Sequence, residues 1–314
     1  MEKINKALRE LGLPERDRYD LPSSPLAFPD GANYRIEIAG VERASTFEAM
    51  LEEASRRKVP VHRVIATVGG ATYLDWAELC DFAKMAKQSR VEVIITLGPR
   101  RAWDSGRQIT TREGLVSGMR ARGSDNIQFL LRDLDRCLRA GFRGFLAPDE
   151  GMMKLYDDLR AKGAIPPETV FKVSVFAGHG SAAGARLVQS IGANSFNPLA
   201  DLTLPMLASI RAAITIPMDV YIILVNAMGG FNRFYEAGEM ARICSPCYFK
   251  FEPGPSEDEI YAPWNTEDFH RHLVKEKVRY AAIVMELIDT YGPEVRVSLP
   301  GTADLAVPRP GEYS

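Results

Sequence analysis

Lys172-Val-Ser-Val-Phe-Ala-Gly-His-Gly-Ser181 alternates Lys172 and Ser174 with Val173 and Val175, which is the two-residue period of a strand, and then breaks at a histidine held between two glycines. Ser181-Ala-Ala-Gly-Ala-Arg-Leu-Val-Gln-Ser190 follows with helical composition. Ile191-Gly192 stops it before a second short strand, Asn194-Ser-Phe-Asn197. The stretch therefore reads as strand, helix, strand, with His179 at the carboxyl end of the first strand.

Working outward, the same grammar recurs along the chain. Strand-like runs fall at Tyr34–Ile38, Val61–Val68, Val91–Leu97, Gly144–Ala147, Val170–Phe176, Asn194–Asn197, Met218–Val225 and Cys247–Phe251. Helical periodicity fills the intervals at Thr46–Arg57, Leu74–Lys87, Ile127–Ala140, Met152–Lys162, Leu204–Ala213 and Tyr235–Ile243, and Leu273–Tyr291 follows the last run. Strands alternating with helices in this number predict an α/β fold, a TIM-type (β/α)8 barrel. An open doubly wound sheet would announce itself by a glycine-rich turn after the first strand, and Ala39-Gly-Val-Glu-Arg-Ala-Ser45 lacks one. The expected organisation is an N-terminal arm over residues 1–31, helical and then proline-rich, a barrel over 32–298, and an extended tail over 299–314.

Composition agrees with one globular barrel, since 46% of the 314 residues are hydrophobic and 25% charged. No run approaches the length of a membrane span, and the amino terminus carries no secretory hydrophobic core, so a cytoplasmic protein is expected. The formal net charge of -2 offers no global field for nucleic acid, which is not expected as a partner; a homo-oligomer is compatible with the sequence. The four cysteines do not suggest a disulfide framework. Cys244 and Cys247 have metal-site spacing but no further ligands close by, and read as buried, inert thiols.

Barrel chemistry sits at the carboxyl ends of strands. Strand one places Arg35 and Glu37 opposite Ile36 and Ile38, and strand eight places Lys250 and Glu252 opposite Phe249 and Phe251. With Lys172, these are charges inside a barrel that valine and leucine could have filled, so they must meet one another or a polar ligand. Glu37, Glu150, His179 and Lys250 are the candidate catalytic residues. Arg35, Lys172, Glu252, Asn197 and Asn226 are candidates for substrate contact, although Arg35 and Lys172, early in their strands, equally suit an internal ion-pair layer, whereas Glu37, Lys250 and Glu252 lie nearer the open end. Glu37, Glu150 and His179 together suit either a divalent-metal site or a metal-free acid and base pair. Asp149 reads as a helix cap. His62, His270 and His272 read as structural. The connection from Pro99 to Asp125 carries Arg100, Arg101, Arg107, Arg112, Arg120 and Arg122 beside Trp103 and Asp104, a cationic loop suited to an anionic substrate, with Arg100 and Arg101 as its expected contacts.

Lys172 to Arg211, with its Val-Ser-Val strand, Gly184-Ala-Arg-Leu, Ile191-Gly192 and Ala200-Asp-Leu-Thr-Leu-Pro-Met-Leu-Ala-Ser-Ile210, resembles the central block of the collagenase-like peptidase U32 family, best over residues 140–255. In that family a strand ending Ser-Thr-Gln precedes an acidic-Leu-Ser-Leu helix start, so Ser174 and Asp201 to Leu204 match by position. The resemblance implies a barrel catalytic core and hydrolysis of an amide or related bond. Cluster-bearing members use four cysteines spread through the second half of the chain. Cys80, Cys137, Cys244 and Cys247 do not reproduce that arrangement, so no iron–sulfur cluster is expected. From the residues alone, the alternative activity is that of a lyase, aldolase or isomerase acting on a small anionic molecule, with Lys250 or Lys172 as base or imine former. A further alternative is an RNA-associated, non-catalytic barrel.

Overall fold

The structure, a computed structural model, describes residues 1–98 and 120–313. Eight parallel strands close in chain order into a barrel: β1 Tyr34–Val41, β2 Val61–Ala66, β3 Glu92–Ile95, β4 Gly144–Ala147, β5 Val170–Val173, β6 Ser195–Phe196, β7 Met218–Ile223 and β8 Cys247–Phe251. β1 shuts the ring against β8, with Tyr34 opposite Cys247 and Glu37 opposite Lys250. The fold is a TIM-type (β/α)8 barrel, as the alternation of runs predicts.

Around the strands run α2 Ala44–Arg57, α3 Trp76–Ser89, α4 Gly123–Ala140, α5 Glu150–Ala161, α6 Ala182–Ser190, α7 Leu204–Ala213, α8 Ala237–Cys244, the short α9 Glu257–Ile260 and the long α10 Glu267–Tyr291; α1, Glu2–Glu10, belongs to the arm. Their starts follow local chemistry. Asp75 and Glu78 form a reciprocal capping box on α3. The Asp149 carboxylate accepts from the Met152 amide on α5, and the Ser181 hydroxyl from Gly184 on α6.

The outward phase of the strands, Ile36, Ile38, Val64, Val93, Phe171, Phe196 and Phe249 among others, packs with Phe47, Phe82, Met153, Val278 and their neighbours into one apolar shell between sheet and helices. A smaller cluster, including Ala39, Ile65, Ile94, Tyr221, Leu224 and Tyr261, fills the interior toward the carboxyl ends. β5 is shorter than its apolar pattern, which runs on to Phe176. The Ser174 hydroxyl accepts from the Phe176 amide and turns the backbone into a 3-10 segment, Val175–Ala177, ended by Gly178 at φ +78°.

The arm from Ser24 onward and the tail lie against the amino-terminal end of the barrel, whereas Arg18 earlier in the arm donates its amide to Pro205 in the first turn of α7. Ser24 donates its amide to Arg242, and the Ser245 hydroxyl donates to the Leu26 carbonyl. Val297 bridges Tyr34, and Arg309 donates its amide to Gly141. Among the described residues no helix is long and apolar enough to cross a membrane.

Candidate functional site

The inward residues of β1, β2, β5 and β7 form a buried ion-pair layer. Lys172 donates to both Glu37 oxygens, at 2.7 and 2.9 Å, and lies 3.2 Å from Asp219. Arg63 pairs with Glu37 and with Asp219, stacks 3.5 Å above the Tyr248 ring, and approaches Glu92 at 3.5 Å. Ser195 donates to Asp219 at 2.8 Å. Burial alone would raise the Glu37 carboxyl, but Arg63, Lys172 and Lys250 outweigh it and hold it down to about 2. Burial, helped by Arg63 and Lys250, lowers the Lys172 ammonium against the pull of Asp219 and Glu37.

Toward the carboxyl ends of β7, β8 and β1 a second network begins. Lys250 donates to the Tyr221 hydroxyl at 2.6 Å and lies 3.3 Å from Glu252. Tyr261 donates to Glu252 at 2.9 Å and accepts from Lys277 at 2.9 Å, and Lys277 also donates to the Ala39 carbonyl at 2.7 Å. Burial would raise Glu252, yet Lys250, Lys277 and the tyrosine hydroxyls keep it below the usual carboxylate range. Lys277 is buried on α10, which lowers its ammonium to about 8. Both tyrosines are pushed well above their ordinary value, by burial first and then by Glu252. Tyr261 reaches this position because Gly40, at φ +73°, has no Cβ; one added there would fall 1.9 Å from the ring.

A third group stands apart. His179 Nε2 is 2.7 Å from Glu150 Oε1, and Arg120 pairs with the other oxygen of that carboxylate. Burial, then Arg120, lowers the imidazole pKa from its ordinary value. This pair remains partly open, with side chains 14% and 22% exposed. His179 lies against Gly184 at the start of α6 and 6.4 Å from Phe196, an outward-facing ring, so it leans toward the helices and not into the interior.

The expected residues thus divide among several places. Glu150 and His179 meet; Glu37 and Lys172 meet; Lys250 and Glu252 meet. A common Glu37, Glu150 and His179 ligand set does not form, since among the described residues no three His, Cys, Asp or Glu side chains converge as a metal ion requires. Arg35 is not at the mouth. Being the second residue of β1, it lies at the amino-terminal end, bound to Asp304. Asn197 is buried at the end of β6, donating to the Asp219 carbonyl at 2.8 Å. Asn226 is exposed in the loop after β7. Arg100 and Arg101 lie outside the described residues. Cys244 and Cys247 are free and buried, and burial lifts the Cys244 thiol to about 12.

The sequence reading passes over Arg63, Asp219, Tyr221, Tyr261 and Lys277. Arg63, Asp219 and Tyr221 carry the inward phase of predicted strands, where the two-residue period would have found them. Lys277 falls on the apolar stripe Val274, Val278, Ala281, Val284 and Ile288, and a lysine at that spacing is itself a signal. Tyr261 has no such signature.

No family model matches the sequence, and no curated protein does. Among solved structures, the chain is similar to the YdjI aldolase from Escherichia coli K12 (14% identity, TM-score 0.47, covering 83% of this chain and 92% of that one). It is also similar to a 2,3-dimethylmalate lyase (10% identity, TM-score 0.42, 79% and 90%) and to the U32 peptidase Mk0906 (12% identity, TM-score 0.38, 69% and 92%). The U32 resemblance therefore stands beside aldolase and lyase likenesses of the same low order, and it does not place the chain in that family.

Proposed function

We propose that the protein is an enzyme of lyase, aldolase or isomerase type, acting on a small carbonyl compound through Lys250. What supports this reading is the setting of one amine: the Lys250 ε-nitrogen lies 2.6 Å from the Tyr221 hydroxyl and 3.3 Å from a carboxylate, in a network that also holds Lys277. A buried lysine amine with a hydroxyl and a carboxylate this close has proton-transfer partners for carbonyl chemistry at hand. Its neutral amine adds to the carbonyl carbon and, with loss of water, gives an imine that draws electrons from the adjacent carbon. Glu252 and Tyr221 stand where a proton must be moved during formation and hydrolysis of that imine. Hydrolysis restores the carbonyl and the free amine.

Incubation with pyruvate or dihydroxyacetone phosphate, reduction with borohydride and peptide mass mapping is the test. The expected result is a reduced adduct on Lys250 that vanishes in Lys250→Arg. An unmodified Lys250 peptide with every carbonyl probe tried, or an adduct that survives the substitution, overturns the reading.

The Glu150–His179 pair favours a second reading, hydrolysis of an amide, because it brings an imidazole within 2.7 Å of a carboxylate in a partly open place, the two groups that acid and base chemistry needs. Under that reading His179→Ala abolishes turnover of short peptides and leaves melting temperature nearly unchanged. Under the first reading the same variant still forms the Lys250 adduct.

A further inference from the structure

At the end of the barrel opposite Lys250, a cavity of about 320 Å³ opens between the arm and the tail, lined by Phe28, Arg35, Arg63, Lys172, Tyr248 and Asp304. This is the face where a barrel is ordinarily packed for stability alone. Here its floor is the ion-pair layer, and its side wall is a guanidinium built to receive a carboxylate. Arg35 is 1% exposed and stacks 3.9 Å from the Phe28 ring. It donates to Ser298 at 3.0 Å, Thr302 at 3.0 Å and the Tyr248 hydroxyl at 3.2 Å. Its fork holds both oxygens of Asp304, at 2.8 and 2.9 Å.

Asp304 is unlike the rest of this wall. It comes from the tail, as Thr302 does, and its side chain is 34% exposed, whereas Phe28, Tyr248 and Ser298 hold Arg35 from outside the tail. A planar fork that already binds one carboxylate end-on, through both terminal nitrogens, selects that group by geometry. Arg63 and Lys172 on the floor are already matched by Glu37 and Asp219, so with Asp304 withdrawn Arg35 is the cation of the lining that lacks a carboxylate partner. A cavity of this size holds many water-sized groups and so has room for a small organic acid.

We propose that this cavity is a binding site for a small carboxylic acid, held bidentately by Arg35 in the place that the Asp304 carboxylate of the tail fills when no acid is bound. Its ligand is a molecule of the size of a four-carbon dicarboxylate. The site is separate from the Lys250 network and does not depend on the reaction carried out there.

Calorimetric titration of the full chain with succinate and malonate, beside Asp304→Asn and the double variant Asp304→Asn with Ala27→Trp, tests it. Asp304→Asn removes the competing charge while keeping the shape, so it is expected to bind succinate at least about tenfold tighter than the unaltered chain. Ala27→Trp fills the rim without touching Arg35 and should remove that binding. In the unaltered chain, succinate should release the tail and speed tryptic cleavage at Arg309, a readout that needs no variant to fold. Equal affinity of the unaltered chain and Asp304→Asn, binding that survives Ala27→Trp, unchanged cleavage at Arg309, or equal competition by inorganic phosphate would each overturn the proposal.

Discussion

Gly40 shows how one absent side chain can decide a site. It combines a left-handed φ of +73° with a ring lying where its Cβ would be. Gly40→Ala must therefore strain the backbone and expel Tyr261 together, and the expected cost is about 2 kcal/mol or more in urea unfolding. The Tyr261 link between Lys277 and Glu252 should be lost with it; a variant as stable as the parent would show that Tyr261 is not held there. His62 is a different case. Its Nδ1 accepts from the Ile36 amide and its Nε2 donates to the Ser298 carbonyl, both at 3.0 Å, so the buried ring is neutral and its pKa falls to about 4 from 6.5. Between those values the unfolded chain binds a proton that the folded chain refuses. Stability from this residue is full above pH 6.5 and is lost as pH falls toward 4, by about 3 kcal/mol. His62→Gln keeps an acceptor and a donor but cannot titrate, so its unfolding free energy should fall less steeply over that range. Parallel pH profiles for the two proteins would contradict this.

At the level of elements, neighbouring residues at the start of α5 take separate roles. Asp149 caps the helix through Met152 and also accepts from the Ala121 amide at 2.8 Å, while Glu150 turns to His179. Asp149→Ala should cost about 1 to 2 kcal/mol of stability, whereas Glu150→Gln should cost much less and act on His179 instead. Melting curves of the two variants separate cap from site. Barrel and strand order were legible in the sequence because β1, β2, β7 and β8 are long enough to show apolar runs or alternation between turn signals. The end of β5 was not, since Val175 and Phe176 continue an apolar pattern that only the Ser174 hydroxyl bond interrupts. Pairing was legible only in part. Period two puts Glu37, Lys172, Lys250 and Glu252 inside, but it does not say that Arg63 and Asp219 stand ready to neutralise the first two.

For the whole molecule, the buried layer of Glu37, Arg63, Lys172 and Asp219 crosses the barrel and joins strands distant in sequence. Removing one partner leaves charge without compensation in a desolvated interior, so Lys172→Met should cost about 3 to 5 kcal/mol. Because these side chains are almost wholly buried, the difference should shrink less in 1 M salt than that of a surface pair. A loss that shrinks to nothing with added salt would mean the layer is wet. The ring that encloses this layer closes by pairing β1 with β8, whose residues Tyr34 and Cys247 are partners although about two thirds of the 314-residue chain lies between them. During synthesis from the amino terminus, β1 therefore leaves the ribosome long before the strand that completes it. Until then the nascent chain carries an open sheet edge and unmatched interior charges, and the growing protein is most exposed to aggregation just before β8 is made.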